Sequence, residues 1–314
     1  MKETLLIVNA DDFGMSRGIT DGIVLASRYG FVTSTSLMAN LPASEYAISR
    51  LSATPSLSVG VHLNITTGRP ILPAERVPTL VDSSGKFHSA AAMSHKFWQR
   101  RVSGDEIEAE FRAQIRWMKD RGVPPTHADS HQHMHIYPAA IRPFIRSLVA
   151  EGIQCARAPR CVAWPKTGGF AGDSMGGPHA GPLVRRVSVR LYREFLQTVL
   201  FRKLDMPASR VSFRARDRED LDLLGERWKS TFENLPTGTF ELACHPGLFE
   251  RGFSESDPIH ELREQELHWL TDHEWRDAVE RSGIQLISYR ELPGRGHAGD
   301  PARKTATIEA HILR

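Results

Sequence analysis

Leu5-Leu6-Ile7-Val8 is an unbroken apolar run that stops at Asn9 and the paired carboxylates Asp11 and Asp12. Successive apolar positions over so short a run predict a strand buried on both faces, as in a parallel sheet. Residues 18–29 then set Ile19, Ile23 and Ala26 at helical spacing, and residues 33–38 are rich in β-branched side chains, so a helix and a second strand follow. The alternation continues, with helices expected at 43–51, 105–121, 141–151, 182–201, 217–234 and 259–282. Strands are expected at 57–63, 127–135, 153–157, 211–213, 239–245 and 284–288. Strands alternating with helices predict a parallel α/β fold, and polar residues recurring at strand ends favour a barrel over an open sheet with one switch point. The expectation is an irregular seven- or eight-stranded (β/α) barrel, one catalytic domain over residues 1–293. The Pro-rich stretch 66–101 and the Gly-rich stretch 160–182 interrupt the pattern and read as loops over the active face; residues 294–314 read as a frayed tail.

Composition narrows this picture without changing it. A chain of 314 residues, 40% hydrophobic and 25% charged, can bury one large core. Forty Lys and Arg against 37 Asp and Glu leave +3, too mild a bias to imply nucleic acid. The apolar run before Asp11 is too short for a signal-peptide core or a membrane span, and Cys155, Cys161 and Cys244 lack CxxC spacing. A reducing cytoplasm is therefore expected.

Hydrolysis without a covalent intermediate needs an activated water, an electrophile for the oxygen that gains charge and an acid for the leaving group. A divalent metal can supply the first two, held by about three His or carboxylate ligands. The candidates are Asp11 or Asp12, His62 in Val61-His62-Leu63-Asn64, and the cluster Asp129-Ser130-His131-Gln132-His133-Met134-His135. In an extended segment Asp129, His131, His133 and His135 would share one face. A single histidine is more often a surface or core residue, and an Asp pair after a strand also suits a turn or helix cap. Three histidines at period two beside an aspartate are harder to dismiss. His245, in Glu241-Leu242-Ala243-Cys244-His245-Pro246-Gly247, ends another strand and is the general-acid candidate.

The motifs Asn9-Ala10-Asp11-Asp12-Phe13-Gly14, Val32-Thr33-Ser34-Thr35, Val61-His62-Leu63-Asn64, residues 126–135 and Cys244-His245-Pro246-Gly247 together resemble the YdjC-like carbohydrate deacetylases. The resemblance implies a barrel related to the polysaccharide deacetylases and removal of acetyl from an N-acetylated sugar with one divalent ion, magnesium or zinc. It implies Asp12, His62 and His131 as metal ligands, Asp11 as catalytic base and His245 as acid. Arg157 would contact the sugar or polarise Asp11, and His133 and His135 become substrate-binding candidates. Some family members are associated with hopanoid glycolipid biosynthesis, so a lipid-linked amino sugar is the alternative substrate.

Leu183, Val187, Leu191 and Phe195 repeat every four residues within a basic stretch. Such a helix either packs on the barrel with a solvated basic face or lies on an anionic membrane; the former is the ordinary pattern. A homodimer is compatible with the sequence. Competing functional readings are a metal phosphoesterase or other amidohydrolase, and a non-catalytic sugar-binding protein. A His-x-His pair on the first strand would favour the former, whereas Asp11 and Asp12 stand there.

Overall fold

Seven parallel strands form one sheet around the ten-residue β1 (Thr4–Phe13). The computed structural model describes residues 3–160, 191–202, 204–211 and 219–292, and all structural statements concern these. The Gly-rich stretch beyond residue 160, Cys161, the start of the helix expected at 182–201 and the tail lie outside them.

The remaining strands are β2 (Ser34–Leu37), β3 (Ser58–Leu63), β4 (Ala128–Ser130), β5 (Ser209–Val211), β6 (Gly238–Cys244) and β7 (Ile284–Ile287). Their order is β4-β3-β2-β1-β6-β5, with β7 also paired to β1. β1 divides one edge between two partners: residues 4–7 pair with β7, whereas Asn9, Ala10 and Phe13 pair with β2.

The sheet is a curled, open half-barrel and not the closed seven- or eight-stranded barrel expected. The segment expected as a strand at 153–157 contributes only the isolated bridges Ala128↔Ala156 and Cys155↔Asp205 between β4 and β5. β4 is too short to template a ladder there, because Gln132 and His133 adopt φ values of 53° and 55° and turn the chain aside just beyond it. The expected extended run through residue 135 is accordingly a pair of tight turns over His131–Ile136.

Helices cover the convex face. Arg17–Tyr29 begins at Ser16, whose hydroxyl accepts the Ile19 N–H at 3.2 Å, and it buries Ile19, Ile23 and Ala26. Gly104–Lys119 places Asp105 and Glu106 in its first turn and buries Ile107, Phe111, Ile115 and Met118 along one stripe. The long helix expected at 259–282 is two, His260–Thr271 and His273–Arg281. Asp272 takes an extended conformation between them and caps the second. The stretch 66–101 is not all loop, since Ala90–Trp98 is helical behind the Ser89 cap. In the described part of the basic helix, Leu191, Phe195 and Val199 are exposed while Leu196 and Gln197 carry the packing.

Alternation along β1 sorts its side chains. Leu6, Val8 and Ala10 join the main core under the helices, and Ile7 joins a small cluster with Ile287 and Tyr289 on the concave side. Asn9 and Asp11 continue that concave row.

Candidate active site

Strict alternation would send Asp12 back to the helix side. Instead, the β1–β2 register shifts between Ala10 and Phe13, and Asp12 adopts φ 67°. Such a bulge re-aims a side chain at a small conformational cost, and here both adjacent carboxylates reach one pocket.

Asp12 Oδ1 lies 3.0 Å from His131 Nδ1 and 3.4 Å from His62 Nε2. The other His62 nitrogen, Nδ1, is 2.7 Å from Asp129 Oδ1, which fixes the ring and leaves Nε2 facing Asp12. Candidate ligand atoms of Asp12, His62 and His131 all fall within 4.8 Å of one another, and all three residues are buried. Burial alone would depress the His62 imidazole, yet Asp129, Asp12 and Asp11 outweigh it and draw it up to about 10. The pocket is thus short of positive charge at the point where two imidazoles and a carboxylate converge. One carboxylate and two nitrogens form a donor set suited to zinc or another divalent ion, so the residues fit the metal that the motifs imply.

Arg157 occupies the other side. Its Nη1 and Nη2 donate to Asp11 Oδ2 and Oδ1 at 2.7 and 2.6 Å, Nε donates to Glu241 Oε1 at 2.9 Å, and Nη2 lies 2.8 Å from Asp129 Oδ2. Asn9 Nδ2 also donates to Asp11 Oδ1, and the Ser36 hydroxyl donates to Asp129 Oδ2. Burial would raise the Asp11 carboxyl, but the Arg157 charge and hydrogen bonds more than reverse this, so Asp11 is held ionised. Of the two contacts considered for Arg157, the one observed is with Asp11.

Arg263 plays the matching part for Asp12. It donates from Nη2 to Asp12 Oδ2 at 2.8 Å and from Nε to Asp257 Oδ2 at 2.6 Å. Burial would raise Asp12, while Arg263 and His131 together hold it well below the usual carboxylate range.

His245 Nε2 stands 3.9 Å from Asp11 Oδ2, and its Nδ1 stands 3.9 Å from Glu266 Oε2. Glu266 also accepts the His245 backbone N–H, and burial lifts its carboxyl to about 8. Burial lowers His245 while Asp11 and Asp12 oppose the shift, leaving it below its ordinary value.

The turns after His131 separate the histidines that an extended chain would align. His133 faces Arg210, whose Nη1 approaches both ring nitrogens. His135 Nδ1 is 2.6 Å from the Ser130 hydroxyl, its ring lies against Phe144 at 4.9 Å, and burial depresses it to about 3. His127 stacks on Tyr289 at 3.7 Å and is 3.1 Å from Asn9 Oδ1. Sequence reasoning missed Asn9, Arg263, Asp257, Glu241 and Glu266. A charged Glu241 inside an apolar strand, and Arg263 and Glu266 on the buried side of an otherwise amphipathic helix, are the signals that point to them.

The family model of YdjC-like proteins matches residues 5–281. A carbohydrate deacetylase from Geobacillus stearothermophilus is 33% identical over 289 residues, covering 91% of this chain and 97% of that protein. A chitooligosaccharide deacetylase from Yersinia enterocolitica is 30% identical over 294 residues, 92% and 99% of the two chains. The carbohydrate deacetylase of Halalkalibacterium halodurans is 43% identical over 143 residues, 46% of this chain and 59% of that one. Among solved structures, a proposed cellobiose-phosphate cleavage protein from Enterococcus faecalis superposes with a TM-score of 0.68 at 26% identity, covering 93% and 99% of the two chains. With the match running from β1 through the helix His273–Arg281, the chain belongs to the YdjC-like protein family.

Proposed function

We propose that this chain is a metal-dependent hydrolase that removes the N-acetyl group from an amino sugar, an N-acetylglucosaminyl compound such as a chito-oligosaccharide. The observation that carries this reading is the convergence of Asp12, His62 and His131, with Asp11 and His245 beside them. The names of the full-length relatives, carbohydrate deacetylase and chitooligosaccharide deacetylase, support the same chemistry.

A divalent ion held by Asp12 Oδ1, His62 Nε2 and His131 Nδ1 would polarise the acetyl carbonyl and acidify a water. Asp11, ionised by Arg157, accepts the proton released as the water attacks. His245 Nε2, across from Asp11 Oδ2, passes a proton to the departing sugar nitrogen. Because burial disfavours a standing charge on His245, the proton it delivers is the one Asp11 has just received, so the pair holds an extra proton only between attack by the water and departure of the amine. Asp129 keeps the His62 ring oriented, and Arg263 keeps Asp12 from rotating away.

Acetate release across N-acetylglucosamine, its β-1,4 oligomers and an N-acetylglucosaminyl lipid, after chelation and after add-back of magnesium or zinc, tests the reading and separates the substrates and metals. No acetate from any of them with either ion would overturn it. The exposed Leu191, Phe195 and Val199 support the lipid-linked sugar as the second reading. Among the described residues no helix is long and apolar enough to cross a membrane.

A further inference from the structure

Leu248 and Phe249 follow the proposed acid His245 by three and four residues, and they are 39% and 51% exposed. Single exposed apolar residues are ordinary; this pair differs in that its backbone is pinned. The Gly247 N–H donates to the Arg263 carbonyl at 3.2 Å, the Leu248 N–H donates to the Gly18 carbonyl at 3.0 Å, and Glu250 Oε2 accepts the Gly18 N–H at 2.6 Å. The segments lie so close that a Cβ on Gly18 would stand 2.5 Å from the Leu248 oxygen, and one on Gly22 2.5 Å from Gly247 Cα. Ser254 closes the loop, its N–H donating to the Glu250 carbonyl at 2.8 Å and its hydroxyl accepting the Glu250 N–H at 2.9 Å. The Phe249 ring meets His260 at 6.5 Å between centroids and keeps half its surface open. Two large apolar side chains are thus held toward solvent on a fixed backbone.

The pair stands at the catalytic end of the sheet. Gly18 is in the first turn of the helix that follows β1, and His260 opens the helix that follows β6; such helices start at the carboxyl ends of their strands. Arg263, whose carbonyl holds Gly247, grips Asp12 with its guanidinium. His245 sets the side of the scissile bond. The group that protonates the departing nitrogen touches the sugar's end of the amide, so the loop leading on from it borders the sugar and not the acetyl group. Two side chains are far too little surface for a stable protein partner, which needs about 800 Å² from each side. They suit one pyranose ring, whose axial C–H bonds make one face apolar while the hydroxyls stay at the rim.

We propose that Leu248 and Phe249 form the sugar platform of this site, on which the apolar face of a pyranose ring of the leaving amino sugar stacks. The platform rests on the deacetylase reading for the identity of the ligand, but its occupancy requires no turnover. Stacking on a fixed surface would orient the sugar and with it the acetamido group.

Calorimetric titration of the full-length, metal-supplied protein with the β-1,4 dimer of glucosamine, a product of the proposed reaction, tests it. Phe249→Ala is expected to weaken dimer binding about five- to tenfold, with circular dichroism and metal content as in wild type. Phe249→Trp should retain the affinity, because an indole offers at least as large a face, and Leu248→Ser should weaken it in the same direction as Phe249→Ala. Dimer affinity in Phe249→Ala within twofold of wild type would overturn the platform, as would a loss that Phe249→Trp shares in full or a wild-type protein that does not bind the dimer. Dimer binding that depends on Phe249 without acetate release from any substrate would leave the platform standing and remove the deacetylase reading. Acetate release with the same KM in Phe249→Ala as in wild type would do the reverse.

Discussion

Arg157 grips Asp11 by both carboxylate oxygens, Nη1 to Oδ2 at 2.7 Å and Nη2 to Oδ1 at 2.6 Å, inside a pocket where neither residue is more than 3% exposed. The fork fixes the plane of the carboxylate as well as its charge. Arg157→Lys keeps the charge and loses the plane, so turnover is predicted to fall on the order of 100-fold with little change in bound metal. Arg157→Met leaves Asp11, Asp129 and Glu241 facing one another, and should cost about 3–5 kcal/mol in denaturant unfolding. Turnover by Arg157→Lys within twofold of wild type would contradict the orienting role.

Asp129 touches the proposed metal only through His62, whose Nδ1 it holds at 2.7 Å. Asp129→Asn should weaken metal binding by roughly 10- to 100-fold, as removal of a ligand's orienting partner typically does. Competition with a chelator of known affinity reads this directly, and unchanged metal affinity would mean that the ring is fixed by something else.

Gly60 lies where a methyl group has no room. A Cβ built there would come within 2.5 Å of His127 Nε2 and 2.6 Å of Nδ1. The ring cannot retreat, because it is stacked on Tyr289 at 3.7 Å and bonded to Asn9, the neighbour that also donates to Asp11. Gly60→Ala is expected to lower stability by about 1–3 kcal/mol in urea unfolding, the usual cost of overpacking. A neutral effect would show that the His127 stack can shift freely.

Glu110 sets a pH dependence remote from the proposed metal. Its carboxylate accepts the backbone N–H groups of Ile71 and Leu72 at 2.9 and 3.0 Å and the Gln114 amide at 2.8 Å, yet burial lifts it to about 7 from an ordinary 4.5. The folded protein therefore holds a proton that the unfolded chain releases between about pH 4.5 and 7, so this contribution is full below 4.5 and is lost as pH rises through 7. Its size is roughly 3 kcal/mol at most. The stability of wild type relative to Glu110→Gln should be greater at pH 5 than at pH 8. A relative stability that rises with pH would reverse the sign and contradict the assignment.

What the sequence discloses of this fold divides along physical lines. Period and composition place β1, β2, β3, β6 and β7 and most of the covering helices, because the strands are short apolar or β-branched runs and the helices bury a regular stripe. They do not disclose that the sheet stays open. Nor do they disclose that Gln132 and His133 enter the left-handed region, which nothing in a run of histidines announces and which undoes the expected common face of His131, His133 and His135. Asp11, Asp12, His62, His131 and His245 are legible as polar residues at strand ends. Their division of tasks came from the motif resemblance; the bulge at Asp12, the Arg157 fork and the Arg263 brace supply the geometry with which that division is compatible. Arg263 and Glu266 stayed hidden because they act from a helix distant in sequence from the β1 carboxylates.

In the proposed mechanism the adjacent carboxylates have different duties, Asp12 binding the ion and Asp11 moving the proton. Asp11→Asn tests it most directly, with metal content and acetate release measured on the same preparation. A near-full complement of metal is expected, with acetate release reduced at least about 100-fold, the scale of a lost general base. Loss of metal together with activity, or acetate release at the wild-type rate, would contradict it.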